Sequence, residues 1–382
     1  MKRSNAKTDM LEHSEAKIEL YANYLSTYLN ILSRVPSVKG ILLFDLLAGE
    51  GIYEDGSKGS ALTALEVIRN HYFANNQSCP DMCVWFNDNG LSRIENGVYK
   101  IDRVRRFSAS IFIPPNVSVE FFREDYDEIL PRALRNLQGS KDVKGLFFID
   151  PYGYKEIDPD ELKDILANRN AEVLLFLPAS HMYRFAEKAL HSPFPGSEPL
   201  ERFLRKLFGS ETPHFDSVYD FIRQLKEKLR QYIGDVFVDT FTLARDASNV
   251  YCLIFFTNHI RGFEKMIEAK WNLDKQSGQG HTLQKSPYLF SEIELSGYPT
   301  RLRKYIAEGT DLRTNRDLYR FGLENGFLPK HTNEVLRKWK RQAVLEVLSL
   351  DGKPVRGNYI SYGTDRIVGF RLKNNGSVQQ EG

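Results

Sequence analysis

The sequence is poor in cysteine: Cys79, Cys83 and Cys252 are the only three among 382 residues. Their odd number, and the lack of His or Cys neighbours at ligand spacing, argue against a disulfide framework. Cys79 and Cys83 make half of a zinc site at best. No metal centre is expected. Long apolar runs are missing too. None is long enough to span a bilayer, and the opening MKRSNAKTDMLEHSEAK holds no apolar signal core. No membrane partner is expected, and the chain is expected to be cytoplasmic. Net charge is also small, with 52 Lys+Arg against 50 Asp+Glu, or +2. That balance is uneven along the chain. From Arg301 to Gly382, 16 Lys+Arg stand against 9 Asp+Glu (+7), which leaves 36 against 41 (−5) for the rest. A basic tail on a neutral-to-acidic body points to an anionic partner for the tail.

What is present is a repeating pattern. The stretch ILLFDLLAGEGIYEDGSKGS runs from Ile41 to Ser60. It reads as a strand ending in Asp45, a turn through Ala48, Gly49 and Gly51, and a helix opening at Gly59-Ser60. That is the layout of a nucleotide-binding first crossover, in which glycine lets the backbone turn sharply and come close to a ligand. Further apolar runs follow at Met82–Phe86, Val117–Phe122, Val143–Ile149 and Val173–Leu177. Helical patterns lie between most of them, and helical spacing over Lys17–Leu32 precedes them. Alternation of this kind predicts a doubly wound, mostly parallel α/β sheet. Residues 185 to 232 read as a charged helical insertion. Val236–Leu243 and Val250–Thr257 read as a late antiparallel hairpin, which closes a class I methyltransferase-like sheet and separates it from a plain dehydrogenase. A Gly/Gln/Ser-rich stretch near 274 to 287 marks a boundary. Beyond it, three short helices and a strand pair predict a winged-helix domain. The expected domains are residues 1–295, methyltransferase-like, and residues 296–382, winged helix.

Four of the five apolar runs end in acids or in Asp-Pro, and ligands of such sheets sit at the carboxyl ends of the strands. Together these acids suggest S-adenosylmethionine as cofactor. Asp88 is placed to accept from a ribose diol and Asp125 from an adenine amino group, while Asp45 and the Gly49/Gly51 turn suit the methionine end. The spacing of a dinucleotide fingerprint, with its acid about 20 residues on, is not met. Asp150-Pro151-Tyr152 resembles the acceptor loop of amino methyltransferases, in which an acid orients the amine and an aromatic ring stacks on a flipped base. Gly153 departs from that pattern. In the tail, NEVLRKWKRQ places Arg337, Lys338, Lys340 and Arg341 on a predicted recognition helix, with Leu336 and Trp339 facing the core. Arg316 and Arg320 lie on the helix before it. These cations suit phosphate contacts, so nucleic acid is the expected partner.

The chain resembles the three-Cys-motif partner proteins, a bacterial family with a methyltransferase-like domain. The matching pieces are Lys17 with Tyr24-Leu25, the Asp45-x-x-Ala48-Gly49-x-Gly51 turn, Gly59-Ser60, Phe148-Ile149-Asp150-Pro151-Tyr152-Gly153, and YCLIFFTNH followed by MIEAKW. They span roughly residues 15 to 275. The resemblance implies a neighbour-encoded partner carrying the three-Cys motif, and it adds Lys17, Ala48, Gly59 and Ser60 to the cofactor-binding residues. Leu46-Leu47 and Glu50 replace an aromatic and a proline of typical members. Two functions are expected from these features. One is a methyltransferase acting on nucleic acid. The other is a catalytically inactive, methyltransferase-like binding or assembly protein.

Overall fold

The computed structural model describes residues 12–75, 79–138, 141–151, 157–209, 213–246, 249–275, 278, 280–282, 297–309, 312–355, 360–361 and 366–373. Contacts divide the chain into two units, Met1–Leu273 with Gln279–Pro287, and Asp274–Gly278 with Tyr288–Gly382.

The first unit opens with α1 (Glu12–Leu32) and continues β1 (Gly40–Asp45), α2 (Ser60–Ala74), β2 (Asp81–Asn87), α3 (Lys100–Ser108), β3 (Val117–Phe122), α4 (Tyr126–Leu137) and β4 (Val143–Ile149). Then come α5 (Pro159–Ala167), β5 (Ala171–Leu177), α6 (Ala179–His191), α7 (Glu198–Phe208), α8 (Val218–Ile233), β6 (Phe237–Asp246), β7 (Asn249–Thr257), α9 (Ile260–Leu273) and β8 (Gly280–Thr282). The strands order as β3-β2-β1-β4-β5-β7-β6-β8. β1 to β5 are parallel, and β7 runs antiparallel to β5 and β6. Five parallel strands closed by a late antiparallel hairpin is the doubly wound, methyltransferase-like sheet expected from the sequence. The strand order reverses between β1 and β4, so the ligand crevice of such a sheet opens there.

Burial explains the composition of the strands. Every residue of β5 is buried, as a central strand covered on both faces must be. β3, with its sequence VSVEFF, lies at the edge, alternates between half-buried and exposed over its first four residues and ends in two half-buried phenylalanines. Within β4, Phe147 enters one core with Phe44, Trp85, Ile129 and Leu162. Its neighbour Phe148 faces the other way and stacks on Tyr21 of α1 at 4.4 Å.

α1 is held at the opposite, amino edge of the sheet by a buried carboxyl. Glu172, at the start of β5, accepts from the Tyr24 phenol and from Thr257 Oγ1 at 2.7 Å. It is 5% exposed. Burial raises its carboxyl to about 7, although the Tyr24 and Thr257 bonds and Lys144 pull the other way.

The second unit contains α10 (Tyr298–Ala307), β9 (Arg313–Thr314), α11 (Asn315–Glu324), α12 (Pro329–Arg341), β10 (Leu345–Ser349) and β11 (Val368–Leu372), with sheet order β10-β11-β9. Three helices against a small antiparallel sheet is the winged-helix arrangement. Thr314 and Asp317 form a reciprocal capping box at the start of α11. The Tyr298 ring stacks on Phe327 at 4.1 Å, and its hydroxyl bonds Thr332 Oγ1 at 2.6 Å. Gly322 has no room for a Cβ, which would stand 2.6 Å from Thr332 Oγ1, so α11 and α12 approach closely here.

The raised Glu172 carboxyl predicts a pH dependence. An unfolded chain releases this proton near 4.5 and the folded one near 7. Stability therefore falls as pH rises between those values and levels off above them, by at most about 3 kcal/mol from this group. Urea melts across pH 4 to 8 are expected to show a fall in that range, and Glu172→Gln is expected to make it shallower.

Candidate functional site

The parallel strands deliver their acids to one edge. Asp45 is the last residue of β1, Asp88 follows β2, Asp125 stands just before α4 after β3, and Asp150 follows β4. The turn after β1 is held by the Ala48 N–H, which donates to the Asn87 carbonyl at 2.9 Å. Gly49 and Gly51 adopt φ of +67° and +75°. Only glycine takes these values without a Cβ penalty. Their tasks differ. A Cβ on Gly49 would meet nothing within 4 Å among the described residues. A Cβ on Gly51 would sit 2.9 Å from Cγ2 and 3.2 Å from Cα of Val104 on α3. Gly51 thus lets α3 close on the turn, while no such contact constrains Gly49 among the described residues. The Gly59 N–H donates to the Gly51 carbonyl at 2.7 Å, bringing the start of α2 against the turn.

Asp45 is 2% exposed. Ser60 Oγ donates to its Oδ2 at 2.5 Å, and its Oδ1 has no hydrogen-bond partner among the described residues. Burial first, then the nearby carboxylates of Asp150 and Asp88, push this carboxyl up to about 7 against the Ser60 bond and Lys17. Asp88 is buried and already well bonded. Its Oδ2 accepts from the Gly49 N–H at 3.0 Å and its Oδ1 from the Gly90 N–H at 2.8 Å. Lys100 Nζ of α3 stands 3.4 Å from Oδ1. Asp88 therefore organises the glycine turn, where the sequence alone suggested a carboxylate waiting for a diol. Asp125 is exposed and accepts from the Asn89 amide.

The end of β4 faces α1. Lys17, 5% exposed, donates to Asp150 Oδ2 at 2.5 Å and lies 4.3 Å from the Phe176 ring centroid. The Asp150 side chain is 23% exposed and is the more accessible member of the pair. Pro151 is buried, and Tyr152 lies outside the described residues. Burial, followed by Asp150, Glu50, Asp55 and Asp45, pushes the Tyr53 phenol up to about 12, so it stays a neutral donor at ordinary pH. The structure thus brings together Lys17, Asp45, Asp150 and the Gly49 turn, with Asp88 and Ser60 bonded into their support.

Several supports were not read from the sequence. Asn87 Nδ2 donates to the Leu46 and Glu124 carbonyls, both at 3.0 Å, and its Oδ1 accepts from the Glu124 N–H at 2.9 Å. Glu50 is buried and accepts from Ser92 Oγ at 2.8 Å, the Arg93 N–H at 2.7 Å and Arg103 Nη1 at 2.8 Å. These bonds pin the loop after β2 to the turn. Both Lys100 and Arg103 come from α3, a helix that its charges conceal. Ile101, Val104 and Ser108 are nevertheless buried at helical spacing, and that is the signal that could have found it.

In the second unit, Val335, Leu336 and Trp339 of α12 are buried, while Arg337, Lys338, Lys340 and Arg341 are exposed. Arg316 and Arg320 of α11 are exposed as well, and Arg320 pairs with Glu324 at 2.8 Å. Lys330, His331, Glu334, Arg337 and Arg341 line a cavity of about 460 Å³. Lys338 and Lys340 do not line it.

A family model described as a GMT-like wHTH domain matches residues 274–352. No curated protein matches the chain. Among solved structures, it is similar to the O-methyltransferase TomG from Streptomyces achromogenes, in complex with SAM and involved in tomaymycin synthesis. That match has 12% identity and a TM-score of 0.34, and covers 66% of this chain and 92% of that one. An O-methyltransferase from Bacillus cereus in complex with SAH matches with 12% identity and a TM-score of 0.31, over 66% of this chain and 83% of that one. A 16S rRNA (adenine(1408)-N(1))-methyltransferase from Catenulisporales acidiphilia matches with 14% identity and a TM-score of 0.26, over 66% and 95%. What the edge can bind is read from its own residues.

The two glycines give a direct test. Gly49→Ala is expected to cost about 1 kcal/mol, the conformational term alone. Gly51→Ala adds the collision with Val104 and is expected to cost about 2 kcal/mol or more. Urea melts of the two variants should keep that order, and equal losses would show that α3 does not press on the turn.

Proposed function

We propose that the chain is an S-adenosylmethionine-dependent methyltransferase acting on nucleic acid. The observation that carries this reading is the carboxyl edge at the β1/β4 switch point. There an open left-handed turn at Gly49 lies among the buried Asp45, the half-buried Asp150 and Lys17. The residues suit this methyl donor. The free Oδ1 of Asp45 is a buried acceptor for a cationic amino-acid end, Gly49 gives room, and the exposed Asp125 suits an adenine amino group. The donor supplies an electrophilic methyl group on a positive sulfur. The chain's own residues bind it, hold the acceptor in line and keep water out. Asp150, Pro151 and Tyr152 form the acceptor side. The winged-helix unit holds the nucleic acid through phosphates. The domain division at 295/296, and a neighbour-encoded partner with a three-Cys motif as the resemblance implies, belong to the same proposal.

A second reading has its own observation. Asp88 already accepts two N–H groups and stands beside Lys100, which reduces what it can offer a ribose. That favours a methyltransferase-like assembly protein that has lost the donor. Calorimetric titration with S-adenosylmethionine separates the two. Binding is expected, with Asp88→Ala weakening it by about 1–3 kcal/mol, the scale of a hydrogen bond to a charged group. No heat at millimolar ligand would establish the assembly reading instead.

Nucleic-acid binding has a separate test. The affinity of the full chain for nucleic acid is expected to fall steeply with salt, because each phosphate contact releases a counterion. Replacing Arg337, Lys338, Lys340 and Arg341 together by Glu is expected to abolish it. Affinity indifferent to both changes would assign α12 to protein contacts.

A further inference from the structure

We infer that the methyl acceptor is a hydroxyl and not an amine, with Asp150 taking the hydroxyl proton and Lys17 stabilising the oxygen as it becomes an anion. The inference rests on the methyltransferase reading above and names its substrate class. An amine acceptor brings a free lone pair and needs only acceptors facing its N–H groups. Its nitrogen becomes positive as the new bond forms, and an ammonium beside it opposes that charge. Here the acid at the end of β4 is not a bare acceptor. Lys17 Nζ occupies Asp150 Oδ2 at 2.5 Å and is fixed from a second side by the Phe176 ring, 4.3 Å from its centroid. Lys17 is 5% exposed and the Asp150 side chain 23%, so the carboxylate is the more accessible member of the pair. A buried cation at this place favours a nucleophile that turns negative.

A hydroxyl is such a nucleophile, since it attacks well only as its proton leaves. The step balances with groups that the chain, the donor and water supply. The hydroxyl proton passes to Asp150 Oδ1, the oxygen atom that Lys17 does not occupy. The oxygen–carbon bond forms as the donor's carbon–sulfur bond breaks, and that electron pair stays on sulfur. The Asp150 proton is then lost to water at its exposed side. Within nucleic acid chains the hydroxyl present at every position is the ribose 2′-OH, so the acceptor is RNA. Lys17, which the resemblance assigns to cofactor binding, moves to the acceptor side.

The test uses the full chain, S-adenosylmethionine labelled in its methyl group, and total RNA and DNA from cells lacking the gene. Label is expected in RNA, in alkali-resistant dinucleotides, because a 2′-O-methyl group removes the oxygen that alkali needs. Lys17→Met is expected to bind S-adenosylmethionine by calorimetry as the parent does and to lose about 100-fold or more in labelling. Lys17→Arg keeps the buried cation, checks folding, and is expected to recover part of the rate. Label in methylated bases or in DNA would overturn the hydroxyl assignment and leave the methyltransferase reading standing. Donor binding without label in RNA would overturn it as well. Loss of donor binding in Lys17→Met, with Lys17→Arg intact, would return Lys17 to the donor. Absence of both donor binding and label in the parent would overturn the methyltransferase reading itself.

Discussion

Three strands of the sheet end together because one buried side chain satisfies the backbone that they leave open. Asn87 donates to the Leu46 carbonyl after β1 and to the Glu124 carbonyl after β3, and accepts from the Glu124 N–H. Buried backbone groups at strand ends are costly when unpaired. An amide offers donors and an acceptor on one short arm and can serve both neighbours. With these ends tied, the Ala48 N–H meets the Asn87 carbonyl, Gly49 turns left-handed and Asp88 accepts its N–H. The turn side of the candidate site follows from that one amide.

The electrostatics of the edge depend on this arrangement. Asp45, Asp88 and Asp150 are close enough for the last two to raise the first. Such a group of carboxylates is tolerated because cations arrive from two helices, Lys17 from α1 and Lys100 from α3. A third ion pair, Glu50 with Arg103, lies beneath the turn and is 2.8 Å long. Pairs of this kind seldom add net stability, and their loss leaves an uncompensated buried charge. They fix geometry.

The fold was legible from hydrophobic run length and from punctuation. Val117–Phe122 and Val143–Ile149 were read at their observed bounds, and the late hairpin was read within a few residues. Val143–Ile149 was legible because a strand buried on both faces is mostly apolar, and Val117–Phe122 because an edge strand keeps apolar residues at alternate positions. The acids at the strand ends were legible for the same reason, since they interrupt those runs. Three things were not. α3 was hidden by its charged residues. The division of labour between Gly49 and Gly51 depends on Val104, more than fifty positions away in sequence. The Lys17–Asp150 pair joins residues separated by 133 positions, and no local spacing encodes it. Asp88 was read as a ribose ligand, and the partners it has in the structure are the turn and α3.

α1 grips the sheet at both rims. Lys17 holds the carboxyl end of β4, and seven residues on, about 10 Å along the helix axis, Tyr24 holds the amino end of β5. A segment that precedes the first strand is easily taken for an appendage, to be trimmed or fused at will. Here it is a clamp, and its removal would strip a buried cation from one rim and leave a buried carboxyl bare at the other. Anyone designing a shortened or permuted version of this chain must therefore carry α1 along as part of the sheet.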